Sequence, residues 1–219
     1  MRSLRSLGTW LCLLFPFALA GCSSVYYDAM EQVGVHKRDI LRSRVEAARD
    51  DQRAAEEQFQ TAYESFKSVT GYDGGNLEKA YDTLNGEYEE SEARAEAVRD
   101  RIGSIENVAS ALFREWEAEL DLISSASIRA DSSRKLATTK RHYGELIAAM
   151  RRAEEKMDPV LVAFRDRVLY LKHNLNAQAI ASLQSSALEI ENDVEALIGE
   201  IRVSIREAEA FLNTMGESA

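Results

Sequence analysis

The sequence predicts an all-α protein, an elongated antiparallel coiled-coil bundle of three or four long helices. Apolar residues recur at alternating spacings of four and three over long stretches, which is the repeat of a coiled-coil seam. The chain has 219 residues and only two prolines, and one of these, Pro16, lies in the opening segment. A composition of 29% charged and 8% aromatic residues is also typical of long helices.

The first 21 residues have the pattern of a secretory signal peptide. Arg2 and Arg5 give a positive head, and residues 10–20 form an uncharged apolar run. A helix needs about 20 apolar residues to span a bilayer, so this run is too short to be a membrane anchor. A positive head, a short apolar middle and small residues at its end predict export and removal of residues 1–21.

The end of this segment, Leu19-Ala20-Gly21-Cys22, resembles the lipobox of bacterial lipoproteins. The resemblance implies that Cys22 is acylated and becomes the first residue of the mature chain. The alternative is an ordinary signal peptide with an incidental cysteine. The other cysteine, Cys12, would be discarded with the signal, so the fold is expected to have no disulfide and no free thiol.

Residues 22–26 are expected to be a short lipid tether, which would hold the base of the first helix close to the membrane. Ser23, and not aspartate, follows the cysteine. In the sorting pattern of lipoproteins this favours the outer membrane, with the protein on its periplasmic face.

The first helix is expected to begin near Tyr27 and to end at a glycine-rich turn. Three glycines in residues 71–75 end a helix, and Asn76 is a good N-cap for the next one. Eight of the nine positions in the seam are apolar, and Gln52 is the exception. The seam is Leu41, Val45, Ala48, Gln52, Ala55, Phe59, Ala62, Phe66 and Val69.

The second helix carries the longest seam and is expected to run to about Ser127, a length of roughly 78 Å. Tyr81, Tyr88 and Trp116 are wide for a two-stranded seam, which favours three or four helices. The seam is Leu77, Tyr81, Leu84, Tyr88, Ser91, Ala95, Val98, Ile102, Ile105, Ala109, Leu112, Trp116, Glu119 and Ile123.

The remainder of the bundle, which as a whole covers residues 27–214, consists of a third helix and a final seam. Asp131 is the expected N-cap of the third helix, and Asp158-Pro159 predicts a kink or a restart. The final seam runs from Leu183 to Leu212, and the series Ser186-Ala-Leu-Glu189 allows a break near residue 184. Residues 215–219 are expected to fray.

Net charge favours one helix pairing. Residues 76–127 carry 13 acidic and 5 basic residues, whereas residues 128–157 carry 8 basic and 4 acidic ones. Short turns make consecutive helices antiparallel neighbours, so these opposite charges are expected to face each other. The seams themselves could close within one chain or be shared between copies, as a homo-oligomer.

The same basic run is the strongest candidate for a binding site. Arg151, Arg152 and Lys156 could bind an anionic envelope glycan or lipid, or they could be neutralised by the acidic second helix. Nucleic acid is not an expected partner, because the chain without residues 1–21 has a net charge of −12 and stacking aromatic residues are missing from the basic run.

The stretch LYLKHNLNAQAIASLQ interrupts a seam of leucines with His173, Asn174 and Asn176. Buried polar residues in a coiled coil fix the helix register, and a binding site is the alternative.

Catalytic residues, metals and cofactors are not expected. His142 and Glu145 are spaced i, i+3, as are His36 and Asp39. A di-iron bundle, however, needs a Glu-x-x-His series on each of two helices.

Three strings, YDAMEQVGVHKRDI (27–40), FREWEAEL (113–120) and LKHNLNAQAI (171–180), resemble the bacterial lipoprotein family catalogued as domain of unknown function 2959. The resemblance implies a secreted, coiled-coil-rich helical protein of Gram-negative bacteria without an established activity. It provides no catalytic residue. The resulting expectation is a non-enzymatic, lipid-anchored spacer or scaffold whose partner is another envelope protein.

Overall fold

The computed structural model describes residues 27, 30, 34–71, 77–185 and 187–217. The described residues contain five helices and no strand, so the predicted all-α class is confirmed. The helices are α1 (Lys37–Thr70), α2 (Leu77–Leu120), α3 (Ala126–His173), α4 (Ala177–Ser185) and α5 (Ala187–Glu217). The predicted signal peptide, Cys22, the tether up to residue 26, and most of the glycine-rich turn with Asn76 lie outside these residues.

The long helices close into an antiparallel four-membered bundle. Helix α1 packs against α2 and α5, and α3 packs against the same two helices from the other side. Ion pairs between Lys37 and Glu115 and between Asp51 and Arg101 show that α1 and α2 run in opposite directions. The seams therefore meet in one core within a single chain, as four apolar stripes do in a bundle of this kind.

The predicted seams form this core. All nine positions of the first seam are buried, including Gln52. In the second seam every position from Ser91 to Ala109 is buried, whereas most positions at the two ends are only partly buried and Glu119 is exposed. The wide residues Tyr81, Tyr88 and Trp116 pack at the edge of the core, as expected for a four-sided bundle.

Helix α1 begins later than the sequence predicts. Tyr27 and Met30 are helical, but Gly34 has a φ of 84° and the Val35 amide donates to the Met30 carbonyl at 3.0 Å. A glycine in the left-handed region with this hydrogen bond is the pattern that ends a helix. The helical conformation near Tyr27 is therefore not continuous with α1, which starts at Lys37.

The connection between α2 and α3 also differs from the prediction. Helix α2 ends at Leu120, so its 44 residues span about 66 Å, less than expected. Ser125, and not Asp131, is the N-cap of α3, because its hydroxyl accepts a hydrogen bond from the Ile128 amide at 3.5 Å. A serine before the first turn satisfies the free helical amide, and Asp131 lies inside the helix.

Pro159 does not interrupt α3, which runs for 48 residues, or about 72 Å. Near the other end of the chain, helix α5 continues to Glu217, and Met215 is only 5% exposed. Residues 215–217, where fraying is expected, are therefore helical, and Met215 packs in the core; the fraying itself stays a prediction.

Candidate functional site

The three basic residues proposed for ligand binding lie on α3, and two of them are paired with neighbouring helices. Arg151 contacts Glu106 of α2 at 2.8 Å and Glu154 at 2.9 Å, and hydrogen bonds to Glu106 and then Glu154 raise the pKa of its guanidinium. Arg152 lies 3.4 Å from Glu200 of α5. Lys156 is exposed and makes no ion pair within the described part of the chain.

The other residues of the basic run also form ion pairs or hydrogen bonds. Most of its members contact carboxylates of α2 or of α3 itself, and Arg129 donates to the Ile123 carbonyl. The acidic second helix therefore neutralises this surface at two positions, Lys140 and Arg151, and the other ion pairs of the run are formed within α3 or with α5. The carboxylate pairs are Arg134 and Lys135 with Asp131, Lys140 with Glu117, and Arg141 with Glu145.

His173, Asn174 and Asn176 form the end of α3 and the turn into α4. The Asn174 amide donates to the Leu171 carbonyl, and its side chain donates to the Tyr170 carbonyl at 2.9 Å. Asn176 Oδ1 accepts from the Ala179 amide at 3.0 Å, which is an N-cap contact. His173 and Asn176 are exposed, so the expectation that these residues are buried within a coil is wrong: they end one helix and begin the next.

The histidines considered as metal ligands are not grouped with further ligands. His142 Nδ1 lies 3.8 Å from Glu145, and its Nε2 is 2.9 Å from the Arg141 guanidinium. A cation beside the ring disfavours metal binding there. No group of three or more histidine, cysteine or acidic side chains with metal-binding geometry occurs among the described residues.

The core contains two polar side chains that the sequence did not present as a site. Gln52 is 1% exposed and Ser204 is fully buried. Neither the Gln52 amide group nor the Ser204 hydroxyl has a hydrogen-bond partner within the described residues. Buried polar groups are usually paired, so the Gln52 amide and the Ser204 hydroxyl either lower the stability of the bundle or specify its register.

Tyr27 connects the N-terminal segment to the side of the bundle. It is 3% exposed, and its hydroxyl accepts a hydrogen bond from Arg44 at 2.9 Å. The same guanidinium donates to the Ser104 carbonyl of α2 at 2.7 Å and lies 5.6 Å from the tyrosine ring centre. Residue 27 is thereby held beside α1 and α2, five residues after the predicted acylation site.

The bundle end nearest to Tyr27 carries two features that sequence analysis missed. A cavity of about 240 Å³ opens there, lined in part by Leu112, Trp116 and Met215. The connection between α2 and α3 projects beyond it and exposes Leu122 and Ile128 to 81% and 60%. The serine-rich composition of this turn hid the second feature, because its apolar residues are few and widely spaced.

Comparison of the sequence with models of known protein families gives one match. The model of the family described as "Protein of unknown function (DUF2959)" matches residues 26–215. The chain belongs to the DUF2959 family. The DUF2959 match covers almost all of the described bundle, and its description names no activity. No curated protein and no solved structure matches the chain.

One further finding concerns the membrane. Among the helices that the structure describes in this DUF2959 protein, none combines the length and the apolar character that crossing a bilayer requires.

Proposed function

We propose that this protein is a non-enzymatic, lipid-anchored scaffold of the bacterial envelope. Acylated Cys22 would hold the bundle on the periplasmic face of the outer membrane. The rod would act as a spacer or docking surface for another envelope protein.

The position of Tyr27 carries this proposal. Its side chain is buried against Arg44 and α2, so contact between the chain and the bundle is already made at the fifth residue after Cys22. A chain extends by at most about 3.6 Å per residue, so an acylated Cys22 stays within roughly 18 Å of Tyr27. An anchor this short keeps the bundle against the lipid surface.

The shape of the bundle supports a mechanical role. Helix α3 is about 72 Å long, and its sides are joined to neighbours by interhelical ion pairs such as Arg99 with Glu154 and Asp158. Three basic residues of α3 also form interhelical pairs, Lys140, Arg151 and Arg152. Arg134, Lys135 and Arg141 pair with carboxylates of α3 itself. This leaves less charge for an anionic ligand, so the scaffold is favoured over a glycan- or lipid-binding module.

The anchor is tested by replacing Cys22 with alanine in the native host. The variant is expected to leave the outer-membrane fraction and to lose its incorporated fatty acid. Cys12→Ala is the matched control, because that cysteine lies in the segment to be removed, and it should leave both properties unchanged. Retention of Cys22→Ala in the membrane fraction would oppose a lipid anchor.

The docking role is tested by crosslinking in the cell. Photoreactive residues placed at exposed positions on each long helix should yield one dominant protein adduct, concentrated on one face. Adducts spread evenly over all four helices, or none, would argue against a scaffold.

A further inference from the structure

The connection between α2 and α3 displays apolar side chains to solvent in a fixed arrangement. We call residues 120–135 the hairpin tip. Leu122 is 81% exposed and Ile128 is 60% exposed, and only Leu188 at the other end of the bundle has a comparable value among the described large apolar residues. Isolated exposed leucines are common, so the argument needs the surroundings and position of this pair.

The hairpin tip is held in place by hydrogen bonds. Trp116 Nε1 donates to Ser132 Oγ at 2.8 Å, and Arg129 Nε donates to the Ile123 carbonyl at 2.9 Å. Ser125 caps α3 through the Ile128 amide. Because the backbone is already ordered, little conformational entropy remains to be lost when Leu122 and Ile128 become buried against a partner.

The charge of the hairpin tip differs from that of the rest of the molecule. It contains three basic residues, Arg129, Arg134 and Lys135, and two acidic ones, in a chain whose formal net charge is −10. Arg129 contacts a backbone carbonyl and no carboxylate among the described residues. Arg134 and Lys135 are paired with Asp131, so the match to a phospholipid headgroup region rests on Arg129 beside the apolar side chains and several serine hydroxyls.

The hairpin tip lies at a defined end of the bundle. The C-terminal end of α2 lies beside the N-terminal end of α1, as the 3.0 Å contact between Lys37 and Glu115 shows. The hairpin tip therefore projects from the end of the bundle nearer to Tyr27, which follows Cys22 by five residues in the sequence. A bilayer that held acylated Cys22 would therefore face the end of the bundle that carries the hairpin tip, and the shared anchor would favour contact between them.

We propose that the hairpin tip inserts Leu122 and Ile128 into the headgroup region of the bilayer that holds the lipid anchor. This inference rests on the acylation of Cys22 proposed above. Tyr27 lies beside Ser104, and the 16 residues from there to Leu120 span about 24 Å. That span exceeds the roughly 18 Å reach of the tether. Both contacts with the bilayer therefore require the bundle to lean away from the membrane normal.

The test uses the acylated protein in vesicles of phosphatidylethanolamine with a minority of phosphatidylglycerol. Leu122→Cys and Ile128→Cys each introduce the single free thiol of the mature chain, which is labelled with an environment-sensitive fluorophore. Leu188→Cys is the matched control, since Leu188 is 72% exposed at the opposite end of the bundle. The fluorescence emission of probes at 122 and 128 should shift to shorter wavelength and be quenched by lipid-borne quenchers. The emission of the probe at 188 should show neither change.

The result separates this inference from the proposed function. Acylation and vesicle binding are measured on the same samples by mass and by flotation. Water-like emission from probes at 122 and 128 in protein that is acylated and vesicle-bound would overturn the insertion and leave the anchor standing. Lipid-like emission at all three positions would also overturn it, because the contact would not be specific to the hairpin tip.

A second measurement avoids the anchor altogether. For the Cys22→Ala chain, replacing Leu122 and Ile128 with serine should weaken binding to the same vesicles by on the order of tenfold for each side chain. Unchanged binding would count against the proposal. Leu188→Ser, which should not alter binding, controls for a general change in surface hydrophobicity.

Discussion

Replacing Gln52 with methionine is expected to stabilise the bundle. Gln52 occupies a seam position on α1 and is 1% exposed, and neither polar atom of its amide has a partner within the described residues. Methionine has a similar length and flexibility but no group that must lose its hydration on folding. The substitution therefore removes a cost of folding without opening a cavity.

The magnitude follows from the burial of the amide. A buried polar group without a hydrogen bond costs about 1–3 kcal/mol, so Gln52→Met should raise the free energy of unfolding by about that amount. For a protein of this size, 1 kcal/mol corresponds to a rise in Tm of about 2–4 °C. Urea unfolding of the chain without its lipid, followed by far-ultraviolet circular dichroism, measures the change directly.

Gln58 on the same helix is the matched control. Its amide nitrogen donates to the Glu87 carbonyl at 3.2 Å and to the Glu87 carboxylate at 2.7 Å. Gln58→Met should therefore lower stability, by about 0.5–1.5 kcal/mol. A loss of stability in Gln52→Met would refute the reasoning, because it would mean that the Gln52 amide has a partner, such as an internal water molecule.

Three further substitutions or titrations test other contacts. Asn176→Ala should lower the free energy of unfolding by about 1 kcal/mol through loss of the α4 N-cap, and an unchanged urea midpoint would contradict the capping role. A double-mutant cycle on Arg151 and Glu106 should give a coupling of about 0.2–1 kcal/mol that shrinks with added salt; no coupling at low salt would argue against the pair. Burial, together with nearby carboxylates, raises the pKa of Tyr63 and of Tyr143 to about 12. Unfolded tyrosine ionises near pH 10, so the stability from these residues should persist below that pH and be lost between pH 10 and 12. The tyrosinate absorbance contributed by Tyr63 and Tyr143 should appear late in that interval; ionisation of every tyrosine near pH 10 would contradict their burial.

The core could be predicted from the sequence because a seam repeats a simple geometric rule. Each residue of the first seam, from Leu41 to Val69, is buried, as the four-three spacing requires. The pairing of α2 with α3 also followed from composition, since Arg151 meets Glu106 and Lys140 meets Glu117. These properties depend on periodicity and net charge, which are visible without coordinates.

Helix ends were predicted less well because single residues decide them. The positive φ of Gly34 separates α1 from the helical conformation near Tyr27. Because glycine adopts positive and negative φ about equally readily, the sequence alone does not predict this conformation. Ser125 and Asp131 are both good N-caps, and the choice between them depends on where α2 ends. Leu175 follows Leu171 at the four-residue spacing of a seam and so conceals the turn, although Asn176 is a recognised N-cap residue that could have revealed it.

The hairpin tip and the end cavity depend on which helices project furthest. That depends on the relative axial positions of the four helices, which seams alone do not specify. Gln52 was visible as the polar exception in its seam, but only the packed core shows that its amide lacks a partner.

The intact mass of the protein purified from membranes tests the central claim most directly. The account predicts a mature chain that begins at Cys22 and carries the added mass of its acyl groups. A chain that retains residues 1–21, or one that begins elsewhere with an unmodified thiol, would contradict it.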